Sequence, residues 1–187
     1  KGYEIPETAR QAHGTNIINL LELDTNETIQ AIESRPNTED SDEEFYVTIA
    51  TENGQVNRTK YEEFDNIWNP GLRAIGIPEN DNIVDAYVTT GDDDIMLITS
   101  NGKGIRFDES DVRDTGRTAY GVQGIELEDD DYVSSMTIIG SEHDSVFTIT
   151  SNGKGKRTDA EEYRVQSRKG KGSKVMSYLK DLSVFFI

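Results

Sequence analysis

The 187-residue chain has no cysteine. That absence removes disulfides, thiolate zinc sites and cysteine nucleophiles. Histidine is scarce too. His13 and His143 stand in separate stretches of chain with no Gly-x-Ser-x-Gly elbow beside them, so neither has the neighbours that nucleophilic catalysis needs. Both read as surface histidines. No run approaches the roughly 20 apolar residues of a membrane helix. There is no initiating methionine and no charged-then-apolar leader, which reads as an excised fragment without a visible secretory signal. Bases are also in short supply, with 19 Lys+Arg against 36 Asp+Glu for a net charge of −17. Proteins that bind nucleic acid are typically basic, because phosphate contacts supply most of the affinity. The total therefore argues against DNA and for an acidic, well-solvated surface. Apolar residues make up 34% of the chain, enough for the core of one domain or two small ones.

The charge is unevenly spread. Residues 22–52 hold ten acids and one base, Arg35, whereas residues 154–174 hold eight bases and three acids. Exposed charges are screened beyond about 8–10 Å at physiological salt, so local patches rather than the sum decide contacts. The stretch 33–44 has six acids and no aliphatic residue. It reads as a solvated loop inside a repeat unit. Asn26-Glu27-Thr28 and Asn57-Arg58-Thr59 match the glycosylation pattern, and in a cytosolic chain they read as chance.

Internal repetition is the main signal. Residues 45–59, 95–107 and 146–158 superimpose as a β-rich run, an Asn-Gly pair and a second short run. The pairs Asn53-Gly54, Asn101-Gly102 and Asn152-Gly153 are 48 and 51 residues apart. Asn-Gly favours the type I′ hairpin turn, which needs positive φ at both central residues. A second repeated segment covers Gly14–Asp24, Gly71–Asp81 and Gly121–Asp131, each an apolar strand ending in an acidic turn. Further apolar strands are expected at Thr28–Ile32, Asn82–Val88 and Tyr132–Ile139, and single short helical turns at Lys60–Phe64, Asp108–Val112 and Asp159–Tyr163. About four strands in roughly 50 residues point to an all-β, propeller-like array or a solenoid. A lone blade of this kind buries neither face, so neighbours must pack on it. The expected units are about 1–32, 45–88, 94–139 and 145–187, within a single fragment 1–187. The apolar end Val184-Phe-Phe-Ile187 departs from the repeat.

Other motifs point to turns and packing. The acid runs Asp92–Asp94, Asp129–Asp131 and Glu39–Glu44 lack the calcium-loop spacing and read as turn and loop acids. Gly102-Lys-Gly104 and Gly153-Lys-Gly155 resemble pieces of phosphate loops, but such loops need a following helix N-terminus. Here a strand follows. Trp68, near Pro70-Gly71, reads as a packing anchor between blades. No cofactor and no metal site is expected.

One cation recurs in register. Arg58, Arg106 and Arg157 each lie four residues beyond the hairpin glycine. Side chains alternate along a strand, so equal offsets place the three on equivalent faces. Stacked blades would then repeat a guanidinium at regular steps along a rim. Lys103, Lys154 and Lys156 lie close to these arginines in sequence. Arg10 and Arg117 share a second recurrent position, four residues before their repeat's glycine. The planar, permanently charged guanidinium fork suits phosphate, and it equally suits an ordinary salt bridge to the abundant acids.

Several of these motifs resemble one family. The hairpins, Gly121-Val-Gln-Gly-Ile-Glu-Leu127, Gly153-Lys-Gly-Lys-Arg-Thr158 and Lys1-Gly-Tyr-Glu-Ile-Pro6 are similar to the C-terminal domain of the DNA gyrase A subunit. So is Arg106-Phe-Asp-Glu-Ser-Asp-Val-Arg113 followed by Gly116-Arg117. The topoisomerase IV counterpart is the near alternative. The resemblance runs from about residue 1 to 172. It implies a β-pinwheel of blades that exchange strands, partial here with three to four blades. It also implies a cytoplasmic, bacterial, nucleoid-associated setting with no membrane. The partners it implies are double-stranded DNA, the gyrase A N-terminal core and the gyrase B subunit. In that family a basic perimeter wraps DNA without sequence preference, in support of ATP-dependent negative supercoiling. The catalytic tyrosine and the ATPase lie elsewhere in the family, so this fragment should neither cut DNA nor hydrolyse ATP.

Gln166-Ser-Arg-Lys-Gly-Lys-Gly172 resembles the family's signature box, Gln-Arg-Arg-Gly-Gly-Lys-Gly, with Ser167 and Lys169 replacing Arg and Gly. It follows the third hairpin rather than lying in the first blade, as a blade-equivalent copy. The expected DNA contacts are the hairpin cations Arg58, Lys103, Arg106, Lys154, Lys156 and Arg157, together with Arg117, Arg168, Lys169 and Lys171. A protein-interaction propeller without DNA binding, its perimeter acidic, is the competing reading.

Overall fold

The computed structural model describes residues 7–16, 19, 21, 23, 27–34, 43–66, 71–140 and 145–176, together with the backbone of 182–185. Outside the described residues lie the Lys1–Pro6 motif, acidic positions 35–42, Trp68, His143 and the tail after 176 apart from that strand. Three antiparallel hairpins organise the rest. They are β1 (Tyr46–Thr51) with β2 (Gln55–Lys60), β4 (Asp94–Thr99) with β5 (Lys103–Asp108), and β8 (Ser145–Thr150) with β9 (Gly155–Asp159). A 3-10 turn follows each, at Tyr61–Phe64, Glu109–Asp111 and Ala160–Glu162. Asp108 and Asp159 cap the second and third, their carboxylates accepting from the Ser110 and Glu161 N–H groups at 2.8 and 2.9 Å, as short acidic caps do at helix starts.

The turns differ from the type I′ expectation. Gly54, Gly102 and Gly153 have φ of 77°, 77° and 81°, but the asparagines before them are not left-handed. Each glycine N–H donates to the carbonyl of Thr51, Thr99 or Thr150, at 2.9, 2.9 and 2.8 Å. That is a type I turn with glycine as the left-handed third loop residue. The threonine is the reason. Its Oγ1 accepts from the N–H of Gln55, Lys103 or Lys154 at 3.2, 3.3 and 3.1 Å, locking the residue after the glycine. The acids closing the repeated connectors clasp these turns. Asp81 Oδ1 accepts from the Asn53 N–H at 2.9 Å, and Asp131 Oδ1 from the Asn101 N–H at 3.0 Å.

Two further strands complete each of the first two blades. The first sheet runs β3 (Ile83–Thr89)-β1-β2-β6 (Val122–Gln123), and the second runs β10 (Ser173–Lys174)-β5-β4-β7 (Val133–Ile139). The third is β11 (Leu182–Phe185)-β8-β9. β6 lies beyond the second hairpin in sequence yet pairs with β2 of the first blade, and β10 lies beyond the third hairpin yet pairs with β5 of the second. Each connector thus reaches back one blade. β7 packs against β3 and β11, so these strands form the inner edge, and β6, β10 and β9 the outer. The repeated connectors are strands for only a residue or two. Gly71–Asp81 makes a single bridge, Gly76 to Tyr120. Thr28–Ile32, expected as a strand, is in none, and Ile32 is 71% exposed.

β4 shows why the chain needs neighbours. Its run Asp94-Ile-Met-Leu-Ile-Thr99 is apolar on both faces. Ile95 and Leu97 join Ala50, Val56, Ile105, Phe107 and Ile125 in the core between the first two blades, while Met96 and Ile98 join Val146, Ala160 and Val175 toward the third. Alternating side chains point to opposite faces, so a doubly covered strand reads as continuous apolar sequence.

Back-pairing requires close backbone approach. A Cβ on Gly121 would sit 2.7 Å from the Val56 carbonyl oxygen, and one on Gly172 the same distance from that of Gly104. Gly121→Ala is therefore expected to push β6 off β2. It should cost about 1–3 kcal/mol, the usual overpacking penalty, and expose the Gly124 N–H, which bonds to the Gly54 carbonyl at 2.8 Å. Urea unfolding together with amide exchange at Gly124 checks this.

Candidate nucleic-acid interface

The hairpin arginines occupy equivalent places, but the expectation that all three present free guanidiniums along a rim is corrected for two of them. Arg58, on β2, is 8% exposed. Its guanidinium lies 4.3 Å over the Tyr46 ring and 3.8 Å from the Glu109 carboxylate, in the 3-10 turn of the next blade. Glu109 is fully buried, its Oε1 accepting from the Asp93 N–H at 3.0 Å. Burial pushes the Glu109 carboxyl above its ordinary value, against lowering hydrogen bonds from Thr89 and the Asp93 backbone. Arg106, on β5, donates from Nε to Asp94 at 2.7 Å and from Nη1 to the Ala160 carbonyl at 2.7 Å, again in the next blade's 3-10 turn. The physical reason is parity. These arginines sit on the blade face that the following blade covers, where an acid-rich chain supplies partners.

Arg157, on β9, is the exposed member of the series, donating from Nε to Ser145 Oγ at 2.6 Å. Tyr46, Asp94 and Ser145 each precede their arginine by twelve residues. Sequence reasoning missed these partners, although that offset was visible and amounts to a diagonal across each hairpin.

The remaining cations fall into two groups. Exposed Lys154 and Lys156 flank Gly155 at the start of β9 and precede Arg157. Exposed Lys169 and Lys171 lie in the strand-donating segment before β10. Lys171 stands 3.9 Å from Glu126, with both side chains well exposed, a pairing of little energetic weight. More constrained are Lys103, paired with Glu128, and Arg117, 3.8 Å from Glu63 and donating to the Arg73 carbonyl at 3.3 Å. Arg168 donates to the backbone carbonyls of Asp111 at 2.9 Å and Gln123 at 3.2 Å.

The box-like segment 166–172 is accordingly a strap. Lys169, at φ 70°, donates its N–H to the Gly124 carbonyl, and the Gly170 carbonyl accepts from the Glu126 N–H at 2.9 Å. His13 is exposed, and Asn57 is buried within β2 with its amide bonded to Thr115 at 2.9 Å. Among the described residues no group of three His, Asp or Glu side chains could hold a metal ion, and no helix is long and apolar enough to cross a membrane.

The family model described as "DNA gyrase C-terminal domain, beta-propeller" matches residues 1–34, 46–90, 93–139 and 144–182. The chain belongs to that family. The DNA gyrase A subunit of Haloquadratum walsbyi is 46% identical over 174 residues, 92% of this chain and 20% of the relative. Its counterpart in Staphylococcus epidermidis is 43% identical over 175 residues, 93% of this chain and 19% of the relative. The chain thus spans about a fifth of the length of these relatives. Among solved structures, the C-terminal domain of DNA topoisomerase IV superimposes with a TM-score of 0.79 at 28% identity, covering 92% of this chain and 55% of that one. A DNA gyrase A C-terminal domain gives 0.76 at 22% identity, over 92% and 58%, which shows the fold alone. The all-β, strand-exchanging blades of this gyrase C-terminal family member are thus the β-pinwheel that the motifs implied.

The Arg58–Glu109 pair yields a prediction with a definite pH sign. Removing one partner of a buried ion pair is costly, so Arg58→Ala should lower unfolding stability by about 3 kcal/mol at neutral pH. Glu109 binds its proton more tightly folded than unfolded. Its contribution is therefore most favourable when protonated and weakens as pH rises above the ordinary value of 4.5. Without Arg58 that weakening is steeper, so the deficit should be largest at neutral pH and shrink toward pH 4.5, as read by urea unfolding at both.

Proposed function

We propose that the chain binds duplex DNA without sequence preference along its outer edge and bends it. It does so as the non-catalytic C-terminal domain of the A subunit of a gyrase-type type IIA topoisomerase. The reading places it in the cytoplasm on the nucleoid, beside the gyrase A N-terminal core and the B subunit, supporting ATP-dependent negative supercoiling. The observation that carries it is the exposure of Lys154, just before β9, together with Lys156 and Arg157 on it, with Lys169 and Lys171 on the segment leading to β10, in a chain otherwise dominated by acid. Arg58 and Arg106 are left out of the track, because their guanidiniums are already engaged within the protein.

The energetics fit a local contact surface. Bending 20–30 base pairs by 40–90° costs on the order of 1–6 kcal/mol, and several phosphate contacts must offset it. Family membership supports the reading, and so does the absence of any described recognition helix for a major groove.

The test is a titration of linear duplex against salt, paired with closure of nicked circles to detect a wrap. Affinity should fall with a slope of roughly −0.9 per neutralised phosphate. Lys154→Glu with Arg157→Glu and Lys171→Glu should abolish binding at moderate salt without lowering the melting temperature. Unchanged affinity in that triple variant would remove these outer-edge residues from the interface, and a wild-type chain that fails to bind duplex at low salt would leave the protein-interaction propeller as the better account.

A further inference from the structure

The contact between the second and third blades differs in chemistry from that between the first and second, and the difference is positional. Between the first two blades Ile105 and Phe107 are fully buried and fill the joint. A shift of 51 residues carries them to Lys156 and Thr158. The same shift carries Gln123 to Lys174 and Arg113 to Arg164. A cavity of about 230 Å³ opens there, and Arg106, Lys156, Thr158, Glu162, Arg164 and Lys174 are among the residues that line it. Arg106 is neutralised by Asp94 at 2.6 Å. Lys156 and Arg164 are then exposed cations of its wall, with Glu162 beside them.

A lysine where the sister blade has a core isoleucine forfeits that residue's apolar burial. Neither Lys156 nor Arg164 is buried, so neither recovers that as packing. The cavity exceeds the roughly 30 Å³ share of one water. It is polar-walled and opens beside the outer strands.

The geometry points to this groove as a seat for one backbone phosphate of the duplex, held by Lys156 and Arg164, with Arg106 as a wall fixed by Asp94 and the third blade's turn. This rests on the outer edge being the duplex track, and it adds two things to that reading. It assigns a contact to Arg164, and it makes the second joint, not the first, the phosphate-holding one. The first joint offers Arg113 alone at the matching rim position, because Arg58 is buried against Glu109 and Ile105 is apolar. Arg guanidinium and Lys ammonium together suit a phosphodiester, one as a fork and the other as a point charge.

The test uses unrelated linear duplexes, with anisotropy recorded across a salt series. Lys156→Gln with Arg164→Gln should weaken binding equally on every sequence and reduce the magnitude of the log–log salt slope by about one. Lys156→Ile, which restores the second blade's residue and should not lower the melting temperature, should show the same direction. Arg113→Gln, the matched control at the first joint, should leave slope and affinity as in wild type. A double variant that binds with the wild-type slope overturns the groove while the edge reading stands. A wild-type chain that fails to bind duplex at low salt overturns the edge reading, and the groove with it.

Discussion

Every blade here is a thin sheet with two faces to cover, and the chain prepares them for stacking by lending strands backwards to the edges of the first two. β6 completes the first blade from beyond the second hairpin, and β10 completes the second from beyond the third. Each loan needs a backbone able to lie directly on another backbone, which is why Gly121 and Gly172 stand at its threshold. Once the strand is seated, the blades stack, and the apolar faces of β4 disappear into two separate cores. Hydrophobic burial supplies the driving force, and the borrowed strands fix which sheet stacks on which.

That arrangement sorts the basic residues by parity and position. Side chains facing the next blade are drawn into its 3-10 turn, as Arg58 and Arg106 are, and serve cohesion. Lys154, Lys156 and Arg157 at the third hairpin and Lys169 and Lys171 on the strap before β10 stay in solvent and remain available to a polyanion. An overall charge of −17 is therefore compatible with a cationic edge. Inside, Asp81, Asp131 and Glu109 work as hydrogen-bond acceptors at turns and joints, so part of the acid excess is structural.

What was readable in the sequence was local. The three hairpins and their shared register follow from Asn-Gly pairs and apolar runs over a few residues, and capping aspartates start the second and third 3-10 turns. The turn type was misread because the Asn-Gly preference outweighed the threonine three residues before each glycine, whose hydroxyl favours the three-residue loop. The equal offset of the arginines was visible, but not which face the next blade would cover, since that depends on stacking. Strand lending was legible only through the family resemblance, because a pairing such as Val56 with Val122 leaves no local mark. Arg164 escaped notice for a similar reason. Nothing in its immediate neighbours says that Lys156 and Lys174 will face it across a joint.

Backward lending also governs how such a chain emerges from a ribosome. With synthesis at about 5–20 residues per second, β1, β2 and β3 appear well before the strand that closes their sheet. Until Gln123 has left the exit tunnel, β2 carries an open edge, and the same holds for β5 until Lys174 follows. The nascent protein is always one unit behind in finishing itself. Any cut placed between successive hairpins parts a sheet from the strand that completes it.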